Sequence, residues 1–203
     1  MGSPGRSGRA HLVHVPSEAV PPPVLSAGAV SLVRYRGGET PLLLAAVSES
    51  VEHLRPWMPW AATEPTFEDL DEFVSRSVSQ WASGEEFNYW FSHDASPELV
   101  GGGGLHRRIR GGTLEIGYWV HAGWTRRGIA TAAAAALTSA GLALPGVDRV
   151  EIRCDEANRA SAAVPARLGY RLDEVFDDPI TAPGETGRCM VWAADTASWA
   201  PRT

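Results

Sequence analysis

Thr113 to Ala136 reads TLEIGYWVHAGWTRRGIATAAAAA, and it decides the fold because it passes from a strand through a glycine turn into a helix. In its first eight residues Thr113, Glu115, Gly117 and Trp119 fall on one face of a strand, with Leu114, Ile116, Tyr118 and Val120 on the other. From Gly123 onward, two arginines and a glycine lead into an alanine-rich helix that lacks a capping side chain. The first N–H groups of a helix have no intrahelical partner, and the helix dipole places partial positive charge beside them. Amides from Arg126 through Gly128, Ile129 and Ala130 to Thr131 could enclose a pyrophosphate, while the Arg126 and Arg127 side chains pair with further phosphate. An ordinary surface loop with two solvated arginines is the alternative.

Upstream, residues 1–28 are rich in Gly, Ser and Pro, include Pro21, Pro22 and Pro23, and read as a flexible lead-in. A strand follows over 29–36, broken by Gly37 and Gly38, and then a helix over 39–55 that ends before Pro56. The corner LRPWMPWA sets Trp57, Met58 and Trp60 among prolines, and a second helix over 66–83 opens on a capping-box pair, Thr66 and Asp69. Strands are predicted over 87–92, 98–107 and 113–120, with Gly111-Gly112 turning the last two into a hairpin. Downstream come a helix over 128–143, a strand over 148–154 and a short helix over 159–167, which Pro165 should bend or shorten. Strands over 170–176 and 187–193 complete one domain, 29–193, followed by a C-terminal tail, 194–203. Hairpins first and helix crossovers later predict an α/β domain. Its single mixed, mostly antiparallel sheet has about seven strands flanked by about four helices, with a parallel step at the 128–143 crossover.

The 203 residues, 44% of them apolar, suit one domain with a real core. No apolar run approaches the roughly 20 residues of a membrane-spanning helix, and the N-terminus lacks the apolar centre of a secretory signal, so a cytoplasmic protein without membrane partners is expected. A formal charge of −6 argues against nucleic acid and mildly favours amine partners. All 18 basic residues are arginine, which excludes Schiff-base lysine chemistry and the lysine-dependent phosphate loop. Cys154 and Cys189 carry no metal-ligand spacing, and His11 and His14 have no further ligands nearby, so no metal is assigned. The run Gly101 to Gly104 has His106 where a dinucleotide fingerprint needs glycine, and a bulged or closely packed strand is the better reading.

Glu115 is a carboxylate set in an otherwise apolar strand, so it is solvated, ion-paired or functional, because burying an unpaired charge is prohibitive. Asn158 suits the N-cap of the short helix, with Ser161 on its first turn and Leu168-Gly169-Tyr170 closing it. The ordered set EIGYWV, RRGIATAA, NRAS and LGY resembles the GNAT-type N-acetyltransferase superfamily, and LRPWMPWA with the overall order points to its RimJ/RimL-like branch. The similarity spans roughly residues 29–193.

That resemblance implies a sheet splayed at the cofactor site and acetyl-CoA as acyl donor, its pyrophosphate on the turn from Thr125 to Ala130. Thr125 departs from the family's Gln or Arg at the first position of that turn. The pantetheine arm would lie against main-chain groups near Val120, with Asn158 also counted among the cofactor residues. Glu115 becomes the candidate base, through water, and Ser161 the hydroxyl at the leaving sulfur, with Tyr118 as another donor beside the substrate. Trp57 and Trp60 would border the acceptor, or else pack in the core. The acceptor implied is a primary amine, on a small molecule or a protein N-terminus, and a homodimer is left open. The alternatives are a non-catalytic acyl-CoA sensor or assembly module, and a nucleotide-binding α/β domain of another class.

Overall fold

A computed structural model describes residues 20–109 and 111–200, and in them one sheet carries helices on both faces. In chain order the elements are β1 (Val24–Ala27), β2 (Val30–Arg34), α1 (Thr40–Ser48), α2 (Val51–Leu54), α3 (Phe67–Ser83), β3 (Glu86–His93), β4 (Ser96–His106) and β5 (Thr113–Val120). There follow α4 (Ile129–Leu142), β6 (Arg149–Asp155), α5 (Arg159–Leu168), β7 (Arg171–Asp177) and β8 (Arg188–Asp195). The sheet order is β1-β2-β3-β4-β5-β6-β8-β7, antiparallel throughout except where β5 and β6 run parallel across the α4 crossover.

Eight strands and five α-helices among the described residues exceed the expected counts by one each. The extra strand is β1, which pairs with β2 from within the stretch read as a lead-in; residues 1–19 of that stretch lie outside the described residues, as do His11 and His14. The extra helix arises because the segment expected over 39–55 breaks between Ser48 and Val51. There the buried Ser50 hydroxyl accepts the Ala122 N–H at 3.0 Å, a tertiary bond no local pattern announces. Pro165 does not shorten α5, which runs through it to Leu168. The sheet also extends past 193 to Asp195, and Trp199 beyond it donates to Ser139 of α4 at 3.1 Å.

Strand alternation sorts the two cores, with β4 changing face at the irregularity in its pairing with β3, so that Leu99 and Leu105 lie on opposite sides. Phe87, Tyr89, Phe91, Leu105, Leu114 and Ile116 meet α4 through Leu137 on one side; Leu43, Val47, Leu70, Val74 and Leu99 gather under α1 and α3 on the other. The glycines of β4 are closely packed, without a bulge against β5. A Cβ on Gly103 would stand 2.5 Å from the Gly117 carbonyl oxygen, and one on Gly102 would stand 2.8 Å from the Trp119 indole nitrogen. α3 begins with the full capping box, Thr66 accepting the Asp69 N–H while the Asp69 carboxylate accepts the Thr66 N–H.

Candidate active site

β5 and β6 stay in register only over Thr113–Glu115, opposite Arg149–Glu151. Beyond Glu115 the strands part, while Ile116–Val120 keep their pairing with β4 and Ile152–Asp155 keep theirs with β8. Successive residues of a strand send their amide groups to opposite edges. The His121 N–H reaches Val100 of β4, and the Gly117 and Trp119 carbonyls also face β4. Tyr118 and Val120 therefore direct their N–H and C=O groups into the gap.

The chain leaves β5 through a short 3-10 turn, Ala122–Trp124, that is tightly fastened. The His121 Nδ1 accepts the Gly123 N–H at 3.0 Å, which puts the ring proton on Nε2, 3.1 Å from the Glu49 carboxylate. Thr125, the residue that departs from the family pattern, uses its hydroxyl to hold the Ala122 carbonyl at 3.2 Å. Arg126 then takes a left-handed φ of 62° and Gly128 one of 80°, so the turn projects its amides outward. α4 starts without a side-chain cap, and its first intrahelical bond is donated by Ala132 to Gly128. The amides of Ile129, Ala130 and Thr131 thus precede the helical ladder, as the sequence predicts. Arg126, Arg127 and Gly128 are exposed, the Arg127 guanidinium lying 4.6 Å from the Trp124 ring centroid; the Ile129 side chain is buried, leaving only its amide for the turn.

On the α4 and α5 side of the gap, the Asn158 side chain caps α5 by accepting the Ser161 N–H at 3.1 Å. The Tyr118 hydroxyl donates to the Ser161 carbonyl at 3.2 Å and lies 3.3 Å from its Oγ. Burial pushes the Tyr118 phenol well above its usual range, and burial likewise raises the Cys154 thiol to about 11. Both therefore hold their protons near neutral pH, and Cys154 is no thiolate nucleophile.

On the α1 and α3 side lies a cavity of about 930 Å³. Trp57, Trp60 and Trp119 line it, Trp60 meeting Trp119 edge-on at 6.2 Å, together with Glu115, Gly117 and residues of the gap itself. Six carboxylates border it, from Asp69, Glu72, Glu86, Glu115, Asp155 and Glu185, against three arginines, Arg76, Arg108 and Arg153. Glu115 has one ion-pair contact among the described residues, the largely exposed Arg108 at 3.9 Å, a long and weak pair. Its register neighbours differ. Glu151 is flanked by Arg149 at 2.8 Å and Arg153 at 2.9 Å, and Glu86 has His106 at 3.3 Å and Arg108 at 3.5 Å.

Sequence reasoning missed His106 and Glu86. Register makes Glu86, His106 and Glu115 successive cross-strand partners on β3, β4 and β5, a nonlocal fact. Only the hairpin at Gly111-Gly112, which fixes the alignment of β4 with β5, offered a signal. Every other predicted site residue lies around the gap: Val120 on its open edge, Glu115 with Trp57 and Trp60 at the cavity, Tyr118, Asn158 and Ser161 opposite, and Arg126 to Thr131 at the turn beyond.

Residues 31–171 match a family described as an acetyltransferase (GNAT) domain. No curated protein sequence matches significantly. Among solved structures, RimL, the ribosomal L7/L12 alpha-N-protein acetyltransferase in complex with coenzyme A, superposes with a TM-score of 0.77 at 19% identity, over 85% of this chain and 97% of that one. RimJ of Mycobacterium smegmatis in complex with CoA-disulfide gives 0.76 at 22%, over 90% of each chain. The microcin C7 self-immunity acetyltransferase MccE in complex with acetyl-CoA and AMP gives 0.75 at 18%, over 83% of this chain and 93% of that one. At these identities the structures speak for the fold, and the sequence match speaks for the family.

Proposed function

Since the chain belongs to the GNAT acetyltransferase family, we propose that it moves an acetyl group from acetyl-CoA to a primary amine by direct attack in a ternary complex. The observation that carries this reading is the gap between β5 and β6, with unpaired strand-edge groups at Tyr118 and Val120 and polar side chains on both faces. The pantetheine arm adds there as a short strand, hydrogen-bonding Val120. The pyrophosphate rests on the amides from Arg126 through Gly128 to Thr131, with the two arginines alongside. Asn158 serves the cofactor indirectly, by capping the helix that carries Ser161.

An alkyl amine is protonated at neutral pH and must lose a proton to become a nucleophile. Glu115 meets the ammonium and accepts that proton through water. The neutral amine attacks the thioester carbonyl, and a main-chain N–H at the gap stabilises the oxyanion. Once the C–N bond has formed, the nitrogen releases its second proton to solvent; as the C–S bond breaks, the sulfur takes the Ser161 proton, Tyr118 resupplies it across their 3.3 Å contact, and solvent reprotonates Tyr118. The acidic rim and the tryptophans favour a cationic acceptor, a small-molecule amine or a protein N-terminus.

The test is steady-state kinetics of wild type, Glu115→Gln and Ser161→Ala on a panel of N-terminal peptides and small primary amines. Acetyl-CoA affinity is measured in parallel by calorimetry. Unchanged affinity with turnover reduced about tenfold or more supports the reading. Tight acetyl-CoA binding by the wild type without turnover on any amine refutes it in favour of a sensor.

A further inference from the structure

His106 closes β4 with its side chain only 9% exposed, yet it lines the cavity. Its Nδ1 is sealed from solvent, and the Glu86 carboxylate stands 3.3 Å away, off the line of an ideal hydrogen bond yet close enough for an Nδ1 proton to stabilise the carboxylate. The other ring nitrogen, Nε2, lies over Gly117: a Cβ built there would meet it at 3.4 Å. Gly117 is the first cavity-face residue beyond Glu115, where β5 leaves β6. The ring therefore overhangs the mouth of the gap at a position where glycine leaves the floor uncovered.

A neutral imidazole has one N–H and one lone pair. A carboxylate at Nδ1 draws the N–H to that side, so Nε2 presents its lone pair above Gly117. The charged groups that line the cavity with the ring are Glu86 on β3, Arg108 after β4, Glu115 on β5, Arg153 and Asp155 on β6, Asp69, Glu72 and Arg76 on α3, and Glu185 before β8. Glu86 stays ionised, because His106 beside it, with Arg108, holds its carboxyl at about 2 against the pull of burial. As a class, imidazoles outrank carboxylates as proton acceptors by about two pKa units, about a hundredfold in equilibrium.

Building on the acetyl-transfer reading, we propose that His106 is the terminal proton acceptor for the amine, with Glu86 as its positioning residue. An N–H bond of the ammonium breaks, and its proton passes through the water at Glu115 to the Nε2 lone pair. The freed amine forms the C–N bond, the C–S bond breaks, and the second amine proton is lost to solvent as Ser161 protonates the sulfur. The imidazolium, steadied by Glu86, discharges its proton to solvent before the next turnover.

The test compares kcat/KM from pH 5 to 9 for wild type, His106→Gln, Glu86→Gln and Glu115→Gln on the same amine panel, with acetyl-CoA affinity measured for each. His106→Gln is expected to keep acetyl-CoA affinity within about twofold, lose at least about tenfold in kcat/KM at pH 7, and lose the acidic limb of the profile. Glu86→Gln should move that limb to lower pH, since the imidazolium loses its neighbouring anion. If His106→Gln fails to fold, Glu86→Gln decides. Wild-type profiles in the folded variants overturn the role of His106, while a loss confined to Glu115→Gln leaves the parent reading standing. A wild-type protein inactive on every amine overturns both.

Discussion

Asp155, the last residue of β6, ties three segments together. Its Oδ1 accepts the Ala157 N–H at 2.8 Å and the Thr186 hydroxyl at 2.9 Å; its Oδ2 accepts the amides of Thr186 at 2.9 Å, Gly187 at 2.9 Å and Arg188 at 3.2 Å. The Ala157, Gly187 and Arg188 bonds are partly buried and the two to Thr186 are exposed. At about 1 kcal/mol for each partly buried bond and nothing counted for the exposed ones, Asp155→Ala should cost about 3 kcal/mol. For a chain of this size that is roughly 6–12 °C in Tm. Asp155→Asn retains one acceptor oxygen and should lose about half as much. The pH dependence has a definite sign. Burial pulls the carboxyl upward, but the bonds from Ala157, Thr186 and Arg188 outweigh it and leave the folded pKa below the usual 3.8. The stabilisation is therefore complete above the unfolded value and disappears as pH falls through the lower folded one. Urea unfolding of all three proteins at pH 7 and at steps down to pH 2.5 measures this. A variant within 0.5 kcal/mol of wild type at pH 7, on the accuracy expected of a bond worth about 1 kcal/mol, refutes the clamp. So does a gap that fails to narrow in acid.

Three further outcomes follow from the same geometry. Gly128→Ala should cost about 1 kcal/mol for its φ of 80° and, on the proposed function, weaken acetyl-CoA binding several-fold, read by calorimetry, because the new methyl enters the open space over the turn proposed to take the pyrophosphate. Tyr118→Phe should leave cofactor affinity unchanged while kcat falls, and Ser161→Ala combined with it should add little, since the two hydroxyls form one unit. Gly103→Ala should destabilise by about 1–3 kcal/mol in thermal unfolding, because its methyl would meet the Gly117 carbonyl at 2.5 Å and force β4 from β5.

What was legible in the sequence was local. Thr66 with Asp69, Asn158 with Ser161, and the glycine turn into an uncapped helix each depend on residues within a few positions of one another. The alternation of β5 likewise put Glu115 and Tyr118 on opposite faces before any partner strand was known. What escaped was set at long range. The break near Ser50 rests on Ala122, 72 residues on. The His106 row exists only once three strands are in register. β1 is a four-residue edge strand behind a proline run, too short for its alternation to stand out in the sequence; β2 is its strand partner, and Leu25 and Ala27 pack it against the α4 side of the core.

The three-residue seam at Thr113–Glu115 also governs the mechanics of the molecule. It joins two half-sheets, β1 to β5 and β6 to β8, which are also tied by α4 packed across both, by the Tyr118 hydroxyl on the Ser161 carbonyl and by the Gly184 N–H on the Pro56 carbonyl at 2.8 Å. On the proposed function, an acetyl-CoA lying in the gap would brace the two halves along this seam, and each release of product would remove that brace where the next cofactor enters.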